Sequence, residues 1–93
     1  MRIDRYLHCI RLLKSRTLAQ ELIDGGHVRI DGRRVAKSSE PVRVGSILAL
    51  PLRGSVRIVE VLALPPRRGP PAEARLAYRE IDEVVIDEIG PTT

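Results

Sequence analysis

The sequence predicts an α+β domain of two short helices followed by a small antiparallel sheet, with a C-terminal tail. Three observations lead there. Apolar residues recur at three- and four-residue steps through the first 23 positions, the spacing of a helix with one buried face. After Gly26 the period changes to two, with Val28 and Ile30 on one side, His27 and Arg29 on the other, and Asp31-Gly32 as a hairpin turn. Past Leu64, Pro65, Pro66, Pro70 and Pro71 crowd a short stretch that cannot pair in a sheet interior and marks a domain edge.

The first helix follows from Ile3, Tyr6, Leu7, Ile10 and Leu13, with Asp4 as the expected cap of its start. The second is expected from Ser15, a favourable N-cap, through Leu18, Ala19, Leu22 and Ile23 until Gly25-Gly26 stops it. A connection of one or two residues would make the pair a tight corner. Arg33 to Val35 begin the return strand of the hairpin, Ala36 to Pro41 form a polar loop, and Gly45-Ser46 make a turn. Ile47 to Leu50 and Val56 to Leu64 read as two further strands joined at Arg53-Gly54-Ser55.

Residues 1–64 are therefore expected to form the domain, and residues 65–93 a Pro/Arg-rich linker, a short docking helix and an acidic tail. Ala74, Ala77, Tyr78 and Ile81 would give the docking helix one apolar face. Glu80 to Ile89 fit helix, strand or disorder equally. Glu83, Asp87 and Glu88 are expected to lie away from any basic face and to add little stability.

A chain of 93 residues excludes a two-domain enzyme. It is 43% hydrophobic, yet Trp and Phe are absent and the aromatics are Tyr6 and Tyr78, so the core must be aliphatic and base stacking cannot be the main source of affinity. The single Cys9 cannot form an internal disulfide and falls in the apolar pattern of the first helix, as a buried structural thiol would. No apolar run exceeds four residues and the N-terminus lacks a signal-peptide pattern, which favours a cytoplasmic protein with no membrane partner.

Little here suggests catalysis. His8 borders the apolar stripe of the first helix, and His27 opens a strand, where hydrogen bonding to RNA is its best functional reading. One Cys and two His give no metal-ligand spacing, and the glycines fall at turns without a strand-to-helix phosphate loop. The expected protein is a binder, not an enzyme, with no cofactor.

The charges are more informative. Residues 1–57 carry 12 Lys and Arg against 5 Asp and Glu, whereas residues 58–93 carry 4 against 7, so a basic body precedes an acidic end. Arg supplies 14 of the 16 cations, and its planar fork suits phosphate. Arg2, Arg5, Arg11, Lys14, Arg16, Arg29, Arg33, Arg34 and Lys37 fall within 36 positions, the footprint of a nucleic-acid face.

Arg2-Ile3-Asp4-Arg5-Tyr6-Leu7, Arg11-Leu12-Leu13-Lys14-Ser15-Arg16, Ala19, Leu22-Ile23, Gly26-His27-Val28-Arg29-Ile30-Asp31-Gly32 and Val42-Arg43-Val44-Gly45 together resemble the S4 RNA-binding domain, also called the alpha-L fold, over residues 1–50. The resemblance implies an RNA face built from the two helices and the hairpin. Here that face carries over to Arg2, Arg5, Arg11, Lys14, Ser15, Arg16, Arg29, Arg33 and Lys37. Two S4 groups are most similar: the ribosome-associated heat-shock proteins of proteobacteria and the small factor of bacterial ribosome quality control.

Arg67-Arg68-Gly69-Pro70, Glu73-Ala74 and Leu76 to Glu80 look like the segment after the domain in the heat-shock group. Departures from that group are Tyr6 and His8 for Trp, Asp31 for Asn, Ser38 for Pro, and an acidic Glu80 to Glu88 where its larger members have a basic helix. The implied partners are ribosomal RNA of the large subunit and peptidyl-tRNA, in translation rescue or ribosome quality control; the free chain is expected to be a monomer. The alternatives are the RNA-binding module of an RNA-modifying enzyme of pseudouridine synthase type and a small DNA-binding regulator. A chain opening on Met with a docking tail is expected to stand alone rather than to be a detached module.

Overall fold

The structure is a computed structural model, which describes residues 1–85. Helix α1 spans Ile3–Cys9 and helix α2 spans Arg16–Asp24; strands β1 (Arg29–Ile30), β2 (Arg33–Arg34), β3 (Ile47–Leu52), β4 (Ser55–Val61) and β5 (Tyr78–Val85) follow, with α3 (Pro71–Ala74) and a 3-10 turn (Arg75–Ala77) before β5. The five strands form one antiparallel sheet in the order β2-β1-β3-β4-β5. No helix of the described residues is long and apolar enough to cross a membrane.

The helix starts differ in how they are capped. Ser15 Oγ accepts the Leu18 N–H at 3.1 Å, as expected of an N-cap. Asp4, by contrast, lies inside the first turn of α1, where Arg2 holds the cap position without a side-chain cap bond. The corner also differs from expectation. Helix α1 ends at Cys9, and residues 10–15 connect it to α2 through Arg11, whose φ of 65° turns the chain into the left-handed region. Ile10 and Leu13 stay buried in this connector, so their apolar spacing reflects burial without continued helix.

The two hairpins obey their turn residues. Asp31 and Gly32 have φ values of 50° and 87°, and Arg53 and Gly54 of 51° and 83°, the positive pairs that two-residue hairpin turns require. Asp31 also ties the first hairpin to the sheet: its N–H donates to the Ile47 carbonyl at 2.8 Å and its Oδ1 accepts the Ile47 N–H at 3.0 Å.

The core is aliphatic, as composition requires. Ile3 and Leu7 of α1 and Ile10 of the connector meet Ile23, Val28, Val35, Leu48, Leu50 and Val59, and Cys9 is buried as a free thiol. Tyr6 is its one fully buried aromatic side chain. Its hydroxyl donates to the Ala77 carbonyl at 2.8 Å, and burial pushes its ionisation above the ordinary value.

The C-terminal part departs most from expectation. The docking helix is reduced to α3 and the 3-10 turn, from which Ala74 and Ala77 are buried; Tyr78 and Ile81 stand instead on β5, with Ile81 exposed. Strand β5 pairs with β4 from Val61↔Tyr78 to Ser55↔Val85, with a bulge at Ile58/Val59. Helical spacing at 74–81 thus gives way to strand pairing, because β4 presents an otherwise open edge. Glu83 is part of this strand, where it accepts the Ser55 hydroxyl at 2.7 Å, so it contributes to the sheet. Asp87 and Glu88 lie outside the described residues.

Candidate nucleic-acid interface

The first turn of α1 places Asp4 beneath the start of α2, and its carboxylate is fully buried. A buried carboxylate is costly unless surrounded by donors. Four groups supply them: Arg2 donates through Nε and Nη2 at 3.1 Å each, Arg16 through Nη2 to Oδ2 at 3.3 Å, Gln20 through Nε2 at 2.9 Å, and the Arg5 N–H at 2.7 Å. Burial alone would raise the Asp4 pKa. The hydrogen bonds from Gln20, Arg2 and the Arg5 N–H, with the charge of Arg16, outweigh it and hold the carboxyl below its ordinary range.

This arrangement fixes two cations, one at the cap of α1 and one on α2, around one anion. The Arg2 and Arg16 side chains remain 48% and 42% exposed, and a guanidinium has five N–H donors. Arg2 directs two of its donors to Asp4 and Arg16 one, so each keeps others for an external acceptor. The backbone then brings in the loop after the hairpin: Ile3 N–H donates to the Glu40 carbonyl at 2.8 Å and Asp4 N–H to the Ser38 carbonyl at 3.3 Å. Lys37 is exposed beside that contact, and Arg33 on β2 pairs with Glu40. The Arg33 hydrogen bond lowers the Glu40 pKa.

Other members of the expected set are placed differently. Arg5 donates to the Pro66 carbonyl and Arg11 to the Gly69 carbonyl, the latter at 2.7 Å, while Arg68 returns a bond to the His8 carbonyl at 3.0 Å. These three bonds fasten the proline-rich segment to α1 and its connector. Arg29 donates to the Gly32 carbonyl at 3.4 Å. Lys14, Arg34 and Lys37 are exposed and make no ion pair among the described residues. Ser15 is occupied as the α2 cap.

Sequence reasoning missed Gln20 and the anchoring role of Asp4. The signal was the spacing of Arg16 and Gln20, which stand one turn apart on one face of α2. His8 is half-buried near Arg68, Arg16 and Arg11; burial first, then these cations, lower its pKa and favour the neutral ring. Among the described residues no group of three His, Cys, Asp or Glu could hold a metal ion.

Comparison with known proteins agrees with the fold. The family described as S4 domain matches residues 1–48. Heat shock protein 15 of Escherichia coli (strain K12) is 39% identical over 85 residues, 91% of this chain and 63% of that protein. The chain thus spans less than two thirds of that relative's length. The RQC P-site tRNA stabilizing factor of Streptococcus pneumoniae is 34% identical over 64 residues, 69% of this chain and 72% of that protein. The trimeric structure of Heat Shock Protein 15 from Vibrio cholerae superposes with a TM-score of 0.83 at 31% identity, covering 87% of this chain and 81% of that one.

Proposed function

We propose a function from one premise: the chain belongs to the S4 domain family. It is a non-catalytic RNA-binding protein that associates with ribosomes, through ribosomal RNA of the large subunit and retained peptidyl-tRNA, in translation rescue in the cytoplasm. The observation that carries this reading is the buried Asp4 holding Arg2 and Arg16 side by side while both stay open to solvent. Guanidinium groups fixed in advance lose less freedom when they meet phosphate, which raises affinity without new contacts. Relatives named for heat shock and for stabilizing P-site tRNA support the ribosomal part.

The face comprises Arg2, Lys14, Arg16, Arg33 and Lys37, with Arg29 on the hairpin and Ser15 holding the start of α2. Arg5 and Arg11 contribute through whatever donors their bonds to residues 66 and 69 leave. Residues 1–64 carry the RNA face, the described part of the segment from 65 to 85 braces it, and the free chain is a monomer. Co-sedimentation with separated ribosomal subunits tests the proposal. The chain should travel with the large subunit, and more strongly when peptidyl-tRNA is retained. Equal binding to both subunits, or gel shifts with duplex DNA as strong as with structured RNA at the same salt, would overturn it.

A further inference from the structure

A second cationic site, sharing no residue with the Asp4 cluster, is a cleft of about 310 Å³ between the α1–α2 connector, the β3–β4 turn and the α3 region. Arg11, Arg53, Arg57 and Arg75 all line it, and no carboxylate residue does. Arg57 is held by Glu80, with its Nε 3.0 Å from Oε2, and the Arg11 Nε is 2.7 Å from the Gly69 carbonyl. Arg53 and Arg75 are exposed and make no ion pair or side-chain hydrogen bond among the described residues. With Arg57 compensated by Glu80, the guanidiniums of Arg11, Arg53 and Arg75 are left without a counter-charge among the described residues in one concavity; they repel one another, and an anion placed among them relieves that repulsion.

The cleft is not lined by cations alone. Leu12, Leu52 and Tyr78 supply apolar and aromatic surface beside the guanidiniums, and Tyr78 is one of only two aromatic residues in the chain. A bare inorganic anion has no use for that surface. A nucleotide has use for both parts, with its phosphate toward the arginines and its base against Tyr78 and Leu52. The volume falls at the small end of ligand sites, ~300 to 1,000 Å³, which suits one nucleotide rather than a dinucleotide cofactor. We infer that this cleft binds a single nucleotide, as a free monophosphate or as one residue of an RNA strand. The inference stands on the cleft itself and does not depend on ribosome association.

Adenosine monophosphate titrated into the full chain, followed by amide NMR shifts, tests it. Saturable shifts should centre on residues 52–54 and 74–78, and the double variant Arg53→Ala/Arg75→Ala should bind at least about tenfold more weakly. Inorganic phosphate should bind the unaltered chain more weakly than the nucleotide, a comparison that holds even if the variant fails to fold. A 5′-phosphorylated oligoribonucleotide separates the two sources: tighter binding than the monophosphate at the same amides assigns the site to a strand, and weaker binding assigns it to the free nucleotide. No saturable shift, shifts confined to Arg2 and Arg16, phosphate equal to nucleotide, or a folded double variant that binds as well as the parent would each overturn the inference.

Discussion

The Tyr6 hydroxyl donates to the Ala77 carbonyl at 2.8 Å, joining α1 to the turn that launches β5. The same carbonyl accepts the N–H groups of Leu62 at 2.8 Å and Ala63 at 3.1 Å. Removing the hydroxyl therefore leaves no orphaned acceptor. Tyr6→Phe should lower stability by about 0.5 to 1.5 kcal/mol, the net worth of one hydrogen bond. Tyr6→Ala should cost about 3 to 5 kcal/mol, because the whole ring is buried. Thermal or urea denaturation of the two variants measures both, and equal losses would show that the ring packing is less important than the bond.

Asp4 makes stability depend on pH. Its folded pKa lies below the ordinary 3.8, so the native state binds its proton less readily than the unfolded chain does. The sign follows from linkage: its contribution is complete above the unfolded value and is lost as pH falls through the lower folded value. Glu40 and Glu80 are lowered by hydrogen bonds from Arg33 and Arg57 and act in the same direction, so the variant comparison isolates Asp4. Melting temperatures of the parent and Asp4→Asn, measured from neutral pH down through this acid range, should converge as the pH falls. Parallel curves would show that the carboxylate is not the group responsible.

Much of this was legible in residue pattern because local chemistry decided it. Ser15 is a cap wherever a helix starts beside it, and Asp31-Gly32 favours the left-handed backbone of a tight hairpin. The nine basic residues could likewise be picked out by sign and spacing. Their partners could not, since the Arg16–Asp4 and Arg11–Gly69 bonds join residues that only the tertiary fold brings together. Strand β5 was illegible for a related reason. Ala74, Ala77, Tyr78 and Ile81 have helical spacing, but the open edge of β4 and the Tyr6 bond at Ala77 select the extended chain from Tyr78 onward.

Arg16 should be the most sensitive position for RNA binding. Arg16→Ala leaves Asp4 with Arg2, Gln20 and the Arg5 N–H as donors, so the fold should persist while binding weakens by about 1 to 3 kcal/mol. Circular dichroism and anisotropy with structured RNA read the two effects separately. An unfolded variant would make Arg16 a structural arginine.

Asp4→Asn should also weaken RNA binding, although it removes a negative charge from a basic face. Arg2 and Arg16 lose the anion that holds them, and their disorder must then be overcome on binding. A gain in affinity at low salt would mean that simple charge outweighs positioning.

Binding through this face should be strongly salt-dependent, because its contacts are cationic and nearly devoid of aromatic side chains. With several phosphates engaged, affinity should fall by about a hundredfold or more between low and physiological salt. Arg2→Ala and Arg16→Ala should each reduce the slope of log affinity against log salt by about one. A flat dependence in the parent would contradict the whole electrostatic reading.

The C-terminal segment should be divisible by truncation, at a point the strand pairing defines. Cutting after Leu64 removes Ala77, all of β5 and the carbonyls of Pro66 and Gly69 that receive Arg5 and Arg11. It also leaves β4 as a bare edge, so the melting temperature should fall by more than about 10 °C. Cutting after Asp82 is milder. It removes the Ser55–Glu83 bond and the pairs Arg57↔Glu83, Val56↔Val84 and Ser55↔Val85, a loss of about 1 to 2 kcal/mol. At about 4 to 8 °C per kcal/mol for a domain of this size, that loss is visible in a thermal melt. The same cut removes Glu83, Asp87 and Glu88 and should slightly strengthen RNA binding at low salt, because repulsion from phosphate is reduced. An unchanged melting temperature after the shorter cut would show that the end of β5 adds no stability, and weaker RNA binding would assign the acidic end a role in contacting the partner.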